Sequence, residues 1–184
     1  MGYIYLYYGT GGGKTTSALG LALRSVGHLH KVVIVQFMKW FKEAGEVKIE
    51  KMISPYYEIH QFGRQGWLRL GEEEKQIEIE GIQIREPEKK DREAAQQGLA
   101  FAESSLKSDE VDLIILDEIC LAVYAGLLTV GSVLRLLDRI PKRTNVVLTG
   151  RYAPKELIEK ADFVIKMIDE KSPKSFVTEK GIQY

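Results

Sequence analysis

The chain's clearest chemistry lies near its start, in Gly9-Thr10-Gly11-Gly12-Gly13-Lys14-Thr15-Thr16. Glycines there let backbone N–H groups turn inward around a phosphate. A helix opening at Lys14 aims the positive end of its dipole at the same point. Lys14 adds a point charge, and Thr15 or Thr16 offers a hydroxyl to a Mg²⁺ ion carried by the phosphates. The loop is irregular. The usual phosphate-loop pattern sets four residues between its first glycine and the Gly-Lys pair, whereas Gly9 and Gly13 have three between them. Either the loop is one residue short or it begins at Tyr8.

Other chemistry-bearing residues stand at similar places, each just after an apolar run. Leu113-Ile114-Ile115-Leu116 leads into Asp117-Glu118, the Walker B pattern that accompanies a phosphate loop, in which a carboxylate binds Mg²⁺ directly or through water. Val32 to Val35 leads into Gln36-Phe37-Met38-Lys39, and Val146-Val147-Leu148 into Thr149-Gly150-Arg151. Arg151 is a candidate for phosphate or substrate. Phe62 and Trp67 are large aromatics divided between core packing and ligand contact. His60, among neutral strand neighbours, reads as structural, and His28 and His30, past a helix end, as surface residues.

These groups need rigid elements to bring them together. Tyr3 to Tyr8 reads as a buried strand. Lys14 to Val26 reads as a helix, with Ala18, Leu19, Ala22, Leu23 and Val26 at helical spacing and Gly27 as terminator. Lys31 to Phe37 is a second strand, making a βαβ unit whose strands are expected to be parallel. Met38 to Pro55 gives no clear pattern. Tyr56 to Phe62 reads as a strand, Gly63 to Trp67 as a loop, and Gln76 to Ile84 as a two-stranded protrusion or one bent strand. Glu88 to Lys107 is expected to be a helix with Ala95, Leu99, Ala102 and Leu106 inward. Val111 to Glu118 is a strand, followed by a short helix through Tyr124 and a helix capped by Thr129. A strand at Asn145 to Arg151, a helix from Pro154 to Ala161 and a strand at Asp162 to Met167 follow. The tail from Lys171 to Tyr184 is polar with short β-like pieces.

Alternating strands and helices predict an α/β chain: a phosphate-loop, RecA-like three-layer fold with a mainly parallel sheet and helices on both faces. Residues 1–184 are expected to form a single nucleotide-binding domain, with an inserted loop or hairpin at about 64–86. The strands' carboxyl ends then share one edge, which gathers the loop, Gln36 to Lys39, Asp117-Glu118 and Arg151.

Composition narrows the class. The 184 residues are 45% hydrophobic and 28% charged, ordinary for a globular protein. Lys and Arg total 26, as do Asp and Glu, so the chain lacks the net positive charge that non-specific nucleic-acid binding needs. Cys120 is the only cysteine, which precludes an intramolecular disulfide or a cysteine zinc cluster. No stretch is apolar enough for a membrane helix, and the first strand begins where a signal peptide would lie, so a cytoplasmic location is the default.

With these stretches in place, the sequence resembles the P-loop ATP:corrinoid adenosyltransferases, the cobalamin/cobinamide type, over most of its length. Tyr8 to Thr16 matches the family's short loop, missing residue included. Further matches are Ala18 to Arg24, Val26-Gly27-His28, Val35 to Lys39, Pro87 with Asp91, Ala95 and Gly98-Leu99. They continue with Leu116-Asp117-Glu118, Thr149-Gly150-Arg151, Ala153-Pro154, Ala161-Asp162 and Gly181-Ile182. The sequence departs from the family at Thr10, where Asn or Asp is common, at Gly12, where lysine is common, and at Lys171-Ser172, where Lys-His is common. The segment from Gly66 to Glu86 is longer than usual.

The resemblance implies that a corrinoid cobalt reduced to Co(I) attacks the 5′ carbon of ATP and that tripolyphosphate leaves. The nucleotide would lie reversed along the loop. Lys14 and Glu118 are implied as catalytic residues, and Thr15 with Glu118 as Mg²⁺ ligands. Gly9 to Thr16, Gln36, Lys39 and Arg151 are implied for the nucleotide, and Phe62 and Trp67 for the corrinoid. A reductase delivering Co(I) and a homodimer are the implied partners. Two alternatives stay open on the residues themselves: a RecA-like ATPase or kinase, and a diverged nucleotide-binding protein without catalysis.

Overall fold

A computed structural model of the chain describes residues 2–70, 84–108, 110–173 and 179–182. Strand β1 (Ile4–Tyr8) runs into the glycine-rich loop and helix α1 (Lys14–Val26). Strand β2 (Val32–Phe37) follows. Met38 to Pro55, patternless in sequence, contains two single-turn helices, α2 (Gly45–Lys48) and α3 (Glu50–Ile53). Then come β3 (Tyr57–Phe62), β4 (Trp67–Leu68), β5 (Ile84–Arg85) and α4 (Lys89–Ser105), which ends in a 3₁₀ turn. Strand β6 (Leu113–Asp117) leads to α5 (Ile119–Tyr124) and α6 (Val130–Asp138). The described elements close with β7 (Asn145–Gly150), α7 (Lys155–Lys160) and β8 (Phe163–Lys166).

Six strands form one sheet in the order β3-β2-β6-β7-β1-β8, and every pairing is parallel. Alternation along the strands divides the core. Ile34, Ile115 and Val147 face α1, whose Ala18 and Ala22 are fully buried. Val35, Leu116 and Leu148 face the other way, against Ala95 and Ala102 of α4, Ile119 of α5, Val133 of α6 and Leu157 of α7. The expected three layers are therefore present. All six residues of β2 are buried, including Gln36, as a strand covered on both faces requires.

The sheet order matters most for the site. Strand β7 lies between β1, which carries the loop, and β6, which carries Asp117. Helix α6 begins as expected, with the Thr129 hydroxyl accepting from the Ser132 N–H at 3.2 Å. Helix α4 is capped by Glu88 and Asp91 acting reciprocally.

Most element bounds lie within a residue or two of expectation, and two departures stand out. The strand read as Val111 to Glu118 stops at Asp117, and Glu118 lies beyond it in the left-handed region at φ 62°. Of the stretch read as a protrusion, only Ile84 is described. It pairs in parallel with Trp67, and Gln76 to Gln83 lie outside the described residues. That small sheet is tied to the body by Arg85, which donates to both oxygens of buried Asp91, 2.5 and 2.6 Å away. His60 is not among neutral groups alone. Its Nε2 is 3.9 Å from the Glu58 carboxylate, and its ring lies 4.2 Å from that of Phe101. No helix among the described residues is long and apolar enough to cross a membrane.

Candidate active site

The loop's shape depends on the chain leaving β8. Gly9, at φ 115°, sits so close to Met167 that a Cβ there would come within 2.3 Å of the Met167 carbonyl oxygen. The Met167 N–H donates to the Tyr8 carbonyl (2.7 Å), and the Gly11 N–H donates to the Met167 carbonyl (3.0 Å). Gly13, at φ 88°, then turns the chain into α1. Lys14 is buried at 7% exposure, and its ammonium donates to the Gly11 carbonyl. Burial pushes the Lys14 amine below its ordinary pKa, while the Glu118 carboxylate opposes that shift.

Asp117 is the hub of the site. Its carboxylate is 1% exposed and accepts four hydrogen bonds. Oδ1 takes the hydroxyls of Thr15 (2.8 Å) and Thr149 (2.7 Å). Oδ2 takes the Gln36 amide (3.1 Å) and the Lys39 ammonium (2.7 Å). Four donors saturate a carboxylate's lone pairs. Burial alone would raise the Asp117 pKa, but Lys39 and the hydroxyl donors hold it below the ordinary carboxylate value. The same pairing raises Lys39 against the opposing effect of its own burial. Gln36 is anchored in turn, its Oε1 accepting from Gln61 at 3.0 Å and its amide lying 3.3 Å from Glu46.

Glu118 is the opposite case. Its backbone N–H donates to the Thr149 hydroxyl (2.8 Å), which fixes the residue at the start of α5. Its Oε2 is buried and has no hydrogen-bond partner. Burial and the neighbouring Asp117 charge push its carboxyl above the ordinary value. A buried, unpartnered carboxylate oxygen beside a phosphate loop fits a cation better than water-free isolation. The residues present therefore suit a Mg²⁺ ion: the Thr15 hydroxyl and an unpartnered carboxylate oxygen of Glu118.

Backbone strain is concentrated at the same edge. Met38, Glu118 and Tyr152 all adopt positive φ, and each stands within two residues of a strand's carboxyl end. Gly150, at φ 140°, lies where a Cβ would be 2.9 Å from Cys120 Cβ and from the Leu121 nitrogen. Strand β7 thereby packs directly against the start of α5. Cys120 is fully buried, and burial drives its thiol up to about 12, which keeps it in the neutral thiol form.

The structure thus unites Lys14, Thr15, Gln36, Lys39 and Glu118. Arg151 is exposed on the turn after β7, close enough for its charge to depress Lys14 and lower the Glu118 pKa. Thr10 and Gly12 are exposed on the loop, and Thr16 on the first turn of α1. Thr16 borders an open groove with Leu19, Lys39, Glu46 and Tyr57, which Gly181 and Ile182 also line. The two aromatics separate. Phe62 is half-buried between Phe101, 5.6 Å away, and Gly98, while Trp67 on β4 is 43% exposed. Sequence reasoning missed the hub role of Asp117, the two bonds made by the Thr149 hydroxyl, and Asp169, whose carboxylate accepts from the Gly12 N–H at 2.9 Å. Asp117 and Thr149 were visible at strand ends, but nothing in their spacing says they bond to each other. A second open groove, lined in part by Gln96, Leu127 and Thr129, lies on the opposite face of the sheet from α1.

Comparison with known proteins agrees with this geometry. The family model described as ATP:corrinoid adenosyltransferase BtuR/CobO/CobP matches residues 1–184. The chain is similar to a corrinoid adenosyltransferase of Pseudomonas aeruginosa, 31% identical over 90% of this chain and 74% of the relative. It is 30% identical to one of Escherichia coli K12, over 90% of this chain and 76% of that protein. It is 28% identical to one of Salmonella typhimurium with the same coverage, 90% and 76%.

Proposed function

The chain belongs to the ATP:corrinoid adenosyltransferase family, and from that premise we propose how its own residues divide the work. Gly9 to Thr16 cradle the triphosphate of ATP as a leaving group, with the nucleotide reversed along the loop. Co(I) of the reduced corrinoid supplies an electron pair to the 5′ carbon. A Co–C bond forms, the C5′–O bond breaks, and tripolyphosphate departs with the electrons of that bond. No general base is needed. Lys14 and Arg151 meet the negative charge that grows on the departing oxygen. Thr15 and Glu118 hold Mg²⁺, which neutralises charge on the polyphosphate when bound. Asp117 orients the Thr15 hydroxyl, and Gln36 and Lys39 hold Asp117 in place. Trp67 faces the corrinoid, with Phe62 supporting that side from its packed position. A homodimer, a cytoplasmic setting and a reductase that delivers Co(I) belong to the same reading.

The observation that carries it is the contrast between the two adjacent carboxylates: Asp117 saturated by four donors, including the loop's own Thr15, and Glu118 left with a buried free oxygen. The test is incubation with MgATP and a corrinoid under strong reduction. A light-sensitive Co–C product formed in step with tripolyphosphate is expected. Formation of ADP and phosphate alone, with or without corrinoid, overturns it in favour of an ATPase or kinase.

A further inference from the structure

The phosphate loop already carries an anion of its own. The Gly12 N–H donates to Asp169 Oδ1 at 2.9 Å. Asp169 follows β8 on the stretch that grips the loop. A Cβ at Gly11 would lie 2.7 Å from the Ile168 nitrogen and 2.8 Å from the Asp169 nitrogen. The second carboxylate oxygen accepts from the Ser172 hydroxyl at 3.2 Å. Asp169 is exposed, so its side chain can swing away at low cost, while the backbone beneath it is held by the Met167 bonds to Tyr8 and Gly11. Position 12 has no side chain to answer the charge, and a Cβ there would meet only the Asp169 carboxylate, 3.8 Å away.

Backbone N–H groups of such a loop are the donors that bind phosphate oxygens. We propose that Asp169 is a built-in competitor for polyphosphate at the Gly12 N–H, displaced when the triphosphate binds and returning as tripolyphosphate leaves. Its charge weakens the hold on substrate and leaving group alike, which tunes affinity and favours product release. This rests on the reading of Gly9 to Thr16 as the polyphosphate cradle.

The experiment is calorimetric titration of the full chain with sodium tripolyphosphate, with and without Mg²⁺, comparing wild type, Asp169→Asn, Asp169→Ala and Lys14→Ala. Asp169→Asn keeps the shape and a carbonyl acceptor but removes the charge. It should bind tripolyphosphate about three- to tenfold tighter, a modest change for one removed repulsion. Asp169→Ala should shift in the same direction, and the gain should shrink at high salt. Unchanged or weaker binding in both variants, each verified as folded by circular dichroism, overturns the proposal and makes Asp169 a support of the loop. Wild-type binding that Lys14→Ala leaves intact, or no wild-type binding at all, overturns the cradle and the proposal with it.

Discussion

At the scale of single residues, the site pairs two adjacent carboxylates whose surroundings push them in opposite directions. Asp117 is stabilised in its charged form and spent on structure. Glu118 is destabilised in its charged form and left free for a ligand. Neutralising each should therefore have different results. Asp117→Asn removes the nearer of Lys39's two carboxylate partners, leaving Glu46 at 4.0 Å, and since Lys39 is only partly buried we expect a loss of about 2 kcal/mol in denaturant unfolding. Glu118 has a folded pKa above its unfolded one, so its ionised form costs stability at neutral pH, a cost relieved as pH falls. Glu118→Gln should consequently melt no lower than wild type while losing roughly 10- to 100-fold in Mg²⁺-dependent ATP affinity. A Glu118→Gln protein that melts lower and keeps its Mg²⁺ response would contradict this assignment. Each carboxylate's type could be read in the sequence as half of a Walker B pair. That their surroundings diverge could not, because the difference depends on Thr15 of α1, Gln36 of β2, Lys39 in the turn after β2 and Thr149 of β7, all of which donate to Asp117.

At the scale of elements, two junctions hold the edge in shape. The first is β7 against α5 at Gly150. Adding a methyl group there meets both a positive φ and the Cys120 and Leu121 contacts, so Gly150→Ala should cost about 2–3 kcal/mol and displace Glu118. The check is urea unfolding alongside Mg²⁺-dependent ATP binding, and an unaffected variant would show that the junction yields easily. The second is the β4–β5 pair, where Arg85 clamps Asp91 at the start of α4. Burial works against the Asp91 charge, but the Arg85 pair and the Glu88 N–H hold its pKa below the ordinary value. A depressed acid contributes stability that is present above its unfolded pKa and lost as pH falls through the folded one. Asp91→Asn should lose about 2 kcal/mol at neutral pH. It should also show a shallower decline in stability through the acidic range than wild type, as read by urea unfolding across pH. Helix periodicity revealed α1, α4 and α6 well because each has a long apolar stripe. Helices α2 and α3 are single turns, too short for periodicity to register, and β4 and β5 are two residues each, too short for alternation to register.

At the scale of the whole molecule, the loop's Thr15 lies about a hundred residues or more before Asp117 and Arg151 in the chain, and ligand binding should couple to global stability. Saturating MgATP at about a hundredfold its Kd should add about 2.7 kcal/mol. For a chain of this length that corresponds to roughly 5–10 °C in Tm. Lys14→Ala should abolish the shift, and an equal shift in that variant would remove the loop from the nucleotide site. Local sequence determined the parts: a strand–glycine loop–helix, apolar strands ending in polar residues, and a parallel α/β sheet. These follow from periodicity and residue type, which act over a few neighbours. The tertiary structure decided the strand order, with β7 inserted between β1 and β6. That order brings Thr149 beside the loop's threonine on Asp117 and onto the Glu118 N–H, and β8 beside β1 brings Asp169 onto Gly12. Such pairings join residues distant in the chain through parallel crossovers, and no local pattern encodes which strand becomes whose neighbour.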